Sequence, residues 1–273
     1  MINNKDVSPF LRWAGGKRWL VFNNSSIFNI NYKKYIEPFL GSASVFFFCN
    51  PMQSVLSDKN KDLIDVYRAI KQDWKKVISL LNYYNIKHSK DFYYTERSVD
   101  YKDLFLKAAQ FIYLNRTCWN GLYRVNNAGK FNVPIGTKQT VITKGDKFEL
   151  ISQRLANALL IDGDFESVID NAEEDDLIFI DPPYTVNHNK NGFLKYNEKI
   201  FSWQDQLRLS NCVKRAKERG VKIILTNANH SSIVELYEVG FSLREVSRAS
   251  VLAGNAKYRG KVTELIITAN INV

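Results

Sequence analysis

The sequence has little cysteine, little histidine and no long apolar run. Its three cysteines, Cys49, Cys118 and Cys212, are far apart, and no Cys-x-x-Cys pair occurs. That pattern excludes a zinc knuckle and a disulfide framework, and it fits a reducing compartment. The three histidines, His88, His188 and His230, form no helical pair, so no metal site is expected. No stretch approaches the roughly 20 apolar residues of a membrane span. The start, MINNKDVSPF, lacks the apolar core of a secretory signal. The expectation is a cytoplasmic protein without membrane contact. No heptad pattern is sustained, so a monomer is expected.

What is present is an ordinary globular composition. Of 273 residues, 45% are hydrophobic and 24% charged. Disordered and collagen-like classes are therefore excluded, and the chain can bury a core without staples. Lys and Arg number 38 against 28 Asp and Glu, a net charge of +10. An anionic partner is implied, with nucleic acid the first candidate, although many basic enzymes bind only small molecules. The charge is uneven. Tyr101 to Lys147 holds eight Lys/Arg and two Asp/Glu; Ile161 to Asp181 holds nine Asp/Glu and no Lys or Arg. One segment suits a polyanion and the other does not.

Apolar runs predict strands at Tyr35–Phe39, Ser54–Ser57, Ala158–Ile161, Leu177–Ile180, Lys222–Thr226, Phe241–Val246 and Val262–Thr268. Leu63, Ile64, Tyr67 and Ile70 share one face of a helix predicted from Asn60 to Asp73. Helical patterns continue to about Arg116. A β-hairpin is then predicted in NGLYRVNNAGKFNVPIG, from its Asn-Gly and Ala-Gly-Lys turn signals. Gln204–Arg219 is predicted as an amphipathic helix. Strands alternating with helices define a largely parallel α/β sheet. The last two strands have no helix between them and should pair antiparallel. The expected organisation is an α/β domain of residues 1–59 and 146–273, interrupted by a basic, mainly helical insertion, 60–145, that carries the hairpin.

Three motifs suggest chemistry. Asp181-Pro182-Pro183-Tyr184 directly follows the strand LIFI. Such a four-residue string arises by chance in roughly one in a thousand chains of this length. Ligands of open α/β sheets bind beyond the carboxyl ends of the strands, which is where this loop falls. Two prolines fix φ and remove two N–H donors, which leaves a stiff loop with a carboxylate, a bare carbonyl and an aromatic ring. That set suits an exocyclic amine on a flat base; the plain alternative is a rigid turn. The second motif is Glu37-Pro38-Phe39-x-Gly41-Ser42-Ala43, followed about twenty residues on by Asp58 at the end of the next strand. That is the spacing at which a carboxylate meets a ribose hydroxyl. The third is Phe10-x-Arg12-Trp13-Ala14-Gly15-Gly16-Lys17. It lacks the Walker spacing; Trp13 either covers a base or fills the core, and Lys17 either neutralises a carboxylate or is solvated.

Together, in this order, the motifs resemble the DNA adenine-N6 methyltransferases of the Dam-like type. The resemblance covers nearly the whole chain: RWAGGK, EPFLGSAS with LSD, YLNRTCWNGLYRVN with KFNVPIG, DPPY, and RGKVTELIIT. It implies the Rossmann-like sheet of S-adenosylmethionine-dependent methyltransferases, with the insertion as a target-recognition domain. By resemblance, Trp13, Lys17, Glu37, Phe39, Gly41 and Asp58 surround S-adenosylmethionine, Asp164 lies near its adenine, and Asp181 also borders it. Asp181, Pro182, Pro183 and Tyr184 form the catalytic loop. Ala43 stands where the family pattern has another glycine.

The implied partner is duplex DNA, read as 5′-GATC. Arg124 is expected on guanine and Leu122 on a thymine methyl, with Asn120 and Pro134 on the same surface. Arg12 is expected on the outer guanine. Trp119 is the candidate wedge for the vacated base stack, and Arg116, Lys130 and Lys138 are expected at phosphates. The alternatives are cytosine-N4 or RNA amino-methylation, or a silent DNA-binding protein on the same core. In the family, Asp before Pro-Pro-Tyr favours adenine.

Overall fold

The structure is a computed structural model that describes residues 7–126, 128–187, 201–249 and 261–271. His188 and the Arg259-Gly260 that opens the last motif lie outside these residues. Seven strands form one sheet: β1 (Tyr35–Glu37), β2 (Ser54–Asp58), β3 (Ala158–Asp162), β4 (Leu177–Ile180), β5 (Lys222–Ala228), β6 (Ser242–Ala249) and β7 (Lys261–Ala269). Their order is β3-β2-β1-β4-β5-β7-β6. β1 pairs in parallel with β2 and β4, and β4 with β5. β7 is antiparallel to both β5 and β6, in the registers Thr226↔Ile266 and Glu245↔Leu265. This is the Rossmann-like α/β sheet that the resemblance implied, with the antiparallel terminal pair.

The strand chemistry explains the layout. All four residues of β4 are buried, as expected for a parallel strand covered on both faces. β1 ends at Glu37, before the expected Phe39, because Pro38 has no N–H to continue the ladder.

Compactness divides the chain into two units. The first comprises Met1–Phe22, Leu40–Met52 and Ser57–Gly163; the second comprises Asn23–Phe39, Gln53–Leu56 and Asp164–Val273.

The first unit holds α1 (Arg18–Asn23, whose last residue is assigned to the other unit), α2 (Ser44–Cys49), α3 (Lys61–Lys87), α4 (Lys90–Ser98), α5 (Leu104–Thr117) and α6 (Phe148–Leu155). Asn60 caps α3 by accepting the Leu63 N–H, and the predicted face, Leu63, Ile64, Tyr67 and Ile70, is fully buried. α3 kinks at Asp73, whose carboxylate accepts the Lys76 N–H and so recaps the second stretch. α3 packs on α5 and α6, where Ala109, Ile112, Ile151 and Leu155 are buried.

The expected hairpin is looser than a regular one. Two isolated antiparallel bridges, Cys118↔Ile135 and Val125↔Phe131, stand in place of strands. The Ala-Gly-Lys signal marks its tip, where Asn126 accepts the Ala128 and Lys130 N–H groups on its side chain. The Asn-Gly signal instead falls in a 3-10 turn, Trp119–Gly121.

The second unit holds α7 (Phe165–Asp170), α8 (Trp203–Glu218) and α9 (Ser231–Tyr237). Ser202 and Asp205 form a capping box at the start of α8. Among the described residues no helix is long and apolar enough to cross a membrane.

Candidate active site

In the second unit, Asp181, Pro182, Pro183 and Tyr184 follow β4 outside any helix or strand, beyond its carboxyl end. The Thr226 hydroxyl, on β5, donates to Asp181 Oδ1 at 2.8 Å. The Tyr184 hydroxyl donates to Glu264 Oε2, on β7, at 2.7 Å. Burial, followed by the charges of Asp181 and Glu264, holds the Tyr184 phenol well above its ordinary pKa, so it remains a neutral donor. Gln206 Nε2 donates to the Pro183 carbonyl at 3.5 Å, and Asn227 Nδ2 holds Gln206 Oε1 at 3.1 Å.

Glu37 is buried, and its carboxylate accepts the Tyr35 hydroxyl at 2.8 Å. Phe39 stacks on Phe165 at 5.3 Å between ring centres and meets Phe201 edge-on at 5.6 Å. Asp164 caps α7 by accepting the Glu166 N–H, and Arg208 grips it with both terminal nitrogens at 2.6 and 2.8 Å. Arg208 also lies over the Phe165 ring. Glu166, Asp170 and Cys212 converge, but Arg215 already pairs with both carboxylates.

In the first unit, Gly41 and Asp58 form a second constellation. Gly41 has φ +48°, and a Cβ there would lie 2.8 Å from Trp13 Cδ1, so only glycine fits. The Gly41 N–H donates to Asp58 Oδ2 at 3.0 Å and the Asn60 N–H to Oδ1 at 2.9 Å. Burial pushes the Asp58 carboxyl above the usual carboxylate range, and those two N–H groups oppose it. The Gly41 carbonyl accepts the Tyr67 hydroxyl. Ala43 adopts the left-handed conformation, φ 56°, at the N-cap of α2, so the missing glycine is replaced by a strained alanine. Lys17 is buried and donates to the Gly15 carbonyl at 2.9 Å; it is not the solvated lysine that one reading allowed. Trp13 stacks with Tyr123 and Phe111, at 5.3 and 6.2 Å.

The expected DNA-facing residues mostly gather. Asn115, fully buried, accepts the Arg12 N–H and donates to the Arg12 and Gly121 carbonyls. Gly121 has φ +63°, and any side chain there would strike Arg12. Arg12 is thus held against the turn that carries Trp119 and Asn120. Trp119 is 55% exposed, and its backbone N–H donates to the Pro134 carbonyl. Leu122 and Arg124 are half-buried. Arg124 Nε donates to Asn132 Oδ1 at 2.8 Å, which leaves the two terminal nitrogens to form a fork. Lys130 and Lys138 are exposed.

Arg116 departs from expectation. It is buried, donates to the Phe10 and Val141 carbonyls, and pairs with Asp146 at 2.6 and 2.8 Å. A guanidinium so engaged cannot serve phosphates; Arg116 ties chain segments together. Sequence patterns do not single out Thr226, Gln206, Asn227, Glu264, Asn115 or Asn132. The available signals are a charge inside the apolar run VTELII and an amide inside the strand run ILTNA.

The α/β sheet thus carries an acidic-proline-aromatic loop beyond β4 and an oriented carboxylate at the end of β2. A family profile described as D12 class N6 adenine-specific DNA methyltransferase matches residues 13–251. Type II methyltransferase M1.LlaDCHI of Lactococcus lactis subsp. cremoris is 34% identical over 275 residues, 97% of this chain and 96% of that protein. Type II methyltransferase M.MjaIII of Methanocaldococcus jannaschii is 33% identical over 96% of this chain and 99% of that protein. The DNA adenine methylase of Haemophilus influenzae is 30% identical over 94% of this chain and 92% of that protein. The chain belongs to the D12 class of N6 adenine-specific DNA methyltransferases. It is accordingly an adenine-specific DNA methyltransferase that acts on DNA.

Proposed function

We propose that the chain methylates adenine N6 in duplex DNA within 5′-GATC, as a monomer, using S-adenosylmethionine and a flipped base. The observation that carries this reading is the doubly held loop after β4: Asp181 on Thr226 and Tyr184 on Glu264. Gly41, bare against Trp13, and the oriented Asp58 fit a nucleoside cofactor. Asp58 has the chemistry to accept ribose hydroxyls. Trp13, Lys17, Glu37, Phe39 and Asp164 complete its assigned contacts, and Asp181 borders it. When bound, S-adenosylmethionine supplies a sulfonium-linked methyl group open to direct in-line displacement.

The amine lone pair of adenine is delocalised into the ring, so N6 is a poor nucleophile. The Asp181 carboxylate accepts one amine hydrogen and the Pro182 carbonyl the other. The nitrogen can then become tetrahedral with its lone pair localised. Developing positive charge on nitrogen meets dipoles already in place, which need no reorganisation. Asp181 need not be a strong base, since the proton leaves late, to Asp181 or water. Inside a duplex, N6 is out of reach of such a loop. The base leaves the stack at a cost of about a few kcal/mol and lies on Tyr184.

Residues 60–145 are assigned to target recognition. Arg124 reads guanine O6 and N7, Leu122 a thymine methyl and Arg12 the outer guanine. Trp119 enters the vacated stack, Asn120 and Pro134 line the same surface, and Lys130 and Lys138 meet phosphates.

The test is methyl transfer to two unmethylated duplexes, one with GATC and one with the site scrambled, read as N6-methyladenine after nucleoside digestion. Methylation of the GATC duplex alone, lost in Asp181→Ala, is the expected result. Equal methylation of both would remove the sequence reading assigned to Arg124 and keep the enzyme class. Absence of N6-methyladenine on either duplex would overturn the reading and turn attention to RNA or cytosine.

A further inference from the structure

Glu264 is 1% exposed and is followed by three buried apolar residues on β7. A carboxylate in such a place loses hydration that an apolar side chain would not need, so stability alone does not account for it. Its position across the sheet is informative. Ala228 pairs with Glu264 and Thr226 with Ile266 in antiparallel register. Residues two apart on a strand share a face, and directly paired residues share it too. Thr226 and Glu264 are therefore diagonal neighbours on one face of the sheet. Each takes one functional end of the same loop, Thr226 the Asp181 carboxylate and Glu264 the Tyr184 hydroxyl.

We infer that Glu264 is a positioning residue for methyl transfer, fixing the place and direction of the Tyr184 ring through the phenol hydroxyl while Thr226 fixes Asp181. The inference rests on the proposed function, in which Tyr184 carries the flipped base. A tyrosine on a loop turns about two side-chain torsions, and a base stacked on a turning ring does not keep its amine on Asp181. Pinning the hydroxyl to a strand holds the first torsion, and the preference of a phenol O–H for the ring plane biases the second, before the base arrives. Misorientation of this kind lowers kcat and leaves cofactor affinity alone.

The experiment is a double-mutant cycle of Tyr184→Phe and Glu264→Leu, with Glu264→Gln as the conservative variant. Each single change should lower kcat by about tenfold or more, and the double should be no worse than the poorer single within about twofold. The Kd for S-adenosylmethionine should stay at the wild-type value. Glu264→Gln should recover to within about threefold of wild type, because its carbonyl oxygen accepts the same hydrogen bond. With 2-aminopurine at the target position, Tyr184→Phe and Glu264→Leu should relieve stacking quenching equally.

Losses that multiply, or Glu264→Gln as damaging as Glu264→Leu, would overturn the inference. So would a normal kcat in Glu264→Leu with only a lowered melting temperature. If Glu264→Leu does not fold, the cycle runs with Glu264→Gln, whose failure to support kcat would equally overturn the inference. The wild-type rate on adenine tests the proposed function separately. Were wild type inactive, thermal unfolding of the same four proteins would still read the pairing, and strictly additive losses would overturn it.

Discussion

Asp181 and Tyr184 hang from side chains on two other strands, Thr226 of β5 and Glu264 of β7. The segment 118–136 is held nearer home: Asn126 closes its own tip, Asn132 holds Arg124, and Trp119 leans on the Pro134 carbonyl. Both segments are irregular backbone, but one is anchored by side chains of two other strands and the other by its own turns together with helix side chains, such as Tyr93 and Arg97 on the Val133 carbonyl. The difference matches what each is assigned to do. Chemistry at one nitrogen needs sub-ångström placement, which rigid elements supply. Reading a groove needs a surface that bears a few forked or flat side chains, and local turns can supply that.

Removing the carboxylate from the anchored loop should have the largest effect. Asp181→Ala should lower methyl transfer by at least ~10^3-fold, about 4 kcal/mol in barrier, with the unfolding midpoint near wild type. A loss below about tenfold would show that the anchored loop is scaffold only. Next is Arg116, whose pairing with Asp146 is buried on both sides. Arg116→Ala leaves that carboxylate unpaired and should cost about 3 kcal/mol of stability by denaturant titration. The salt dependence of DNA binding should not change; a slope smaller by about 1 with intact stability would restore a phosphate role.

In segment 118–136, Arg124→Ala should lose about 2 kcal/mol of discrimination at one base pair, measured as kcat/KM on single-substituted sites. Asn132→Ala should lose less, in the same direction. Ala43→Gly should stabilise by up to about 1 kcal/mol, because glycine takes the left-handed turn without strain. The smallest expected effect is at His88, which bridges the Tyr113 hydroxyl and the Lys138 carbonyl. Burial lowers its pKa from 6.5, so the unfolded state binds its proton first. Its contribution to stability should therefore fall as pH drops through 6.5 towards the lower folded value, and His88→Gln should flatten that slope.

Local signals make much of this legible. LIFI, IIL and the face Leu63, Ile64, Tyr67 and Ile70 fall where periodicity places them, since burial drives both the pattern and the fold. Asn60 and Asp73 each start a helical stretch, because each side chain accepts the backbone N–H three residues on. Glu264 is not legible, because its partner depends on the β5–β7 register, a non-local fact. Charge alone suggests phosphates for Arg116. Its spacing from Ile112, one helical turn earlier, places it on a buried face and is the better signal. The hairpin is legible as turns and not as strands, since Asn-Gly fits a 3-10 turn as well as a hairpin tip.

β7 follows β6 in the chain yet lies between β6 and β5 in the sheet. During synthesis, β6 therefore emerges before the strand it must join, and the edge of β5 stays open until residues 261–269 arrive. The same late strand brings Glu264. A nascent chain can hold every residue of Asp-Pro-Pro-Tyr and still lack the anchor for its ring. On the pinning inferred for Tyr184, catalytic competence is then coupled to completion of the sheet.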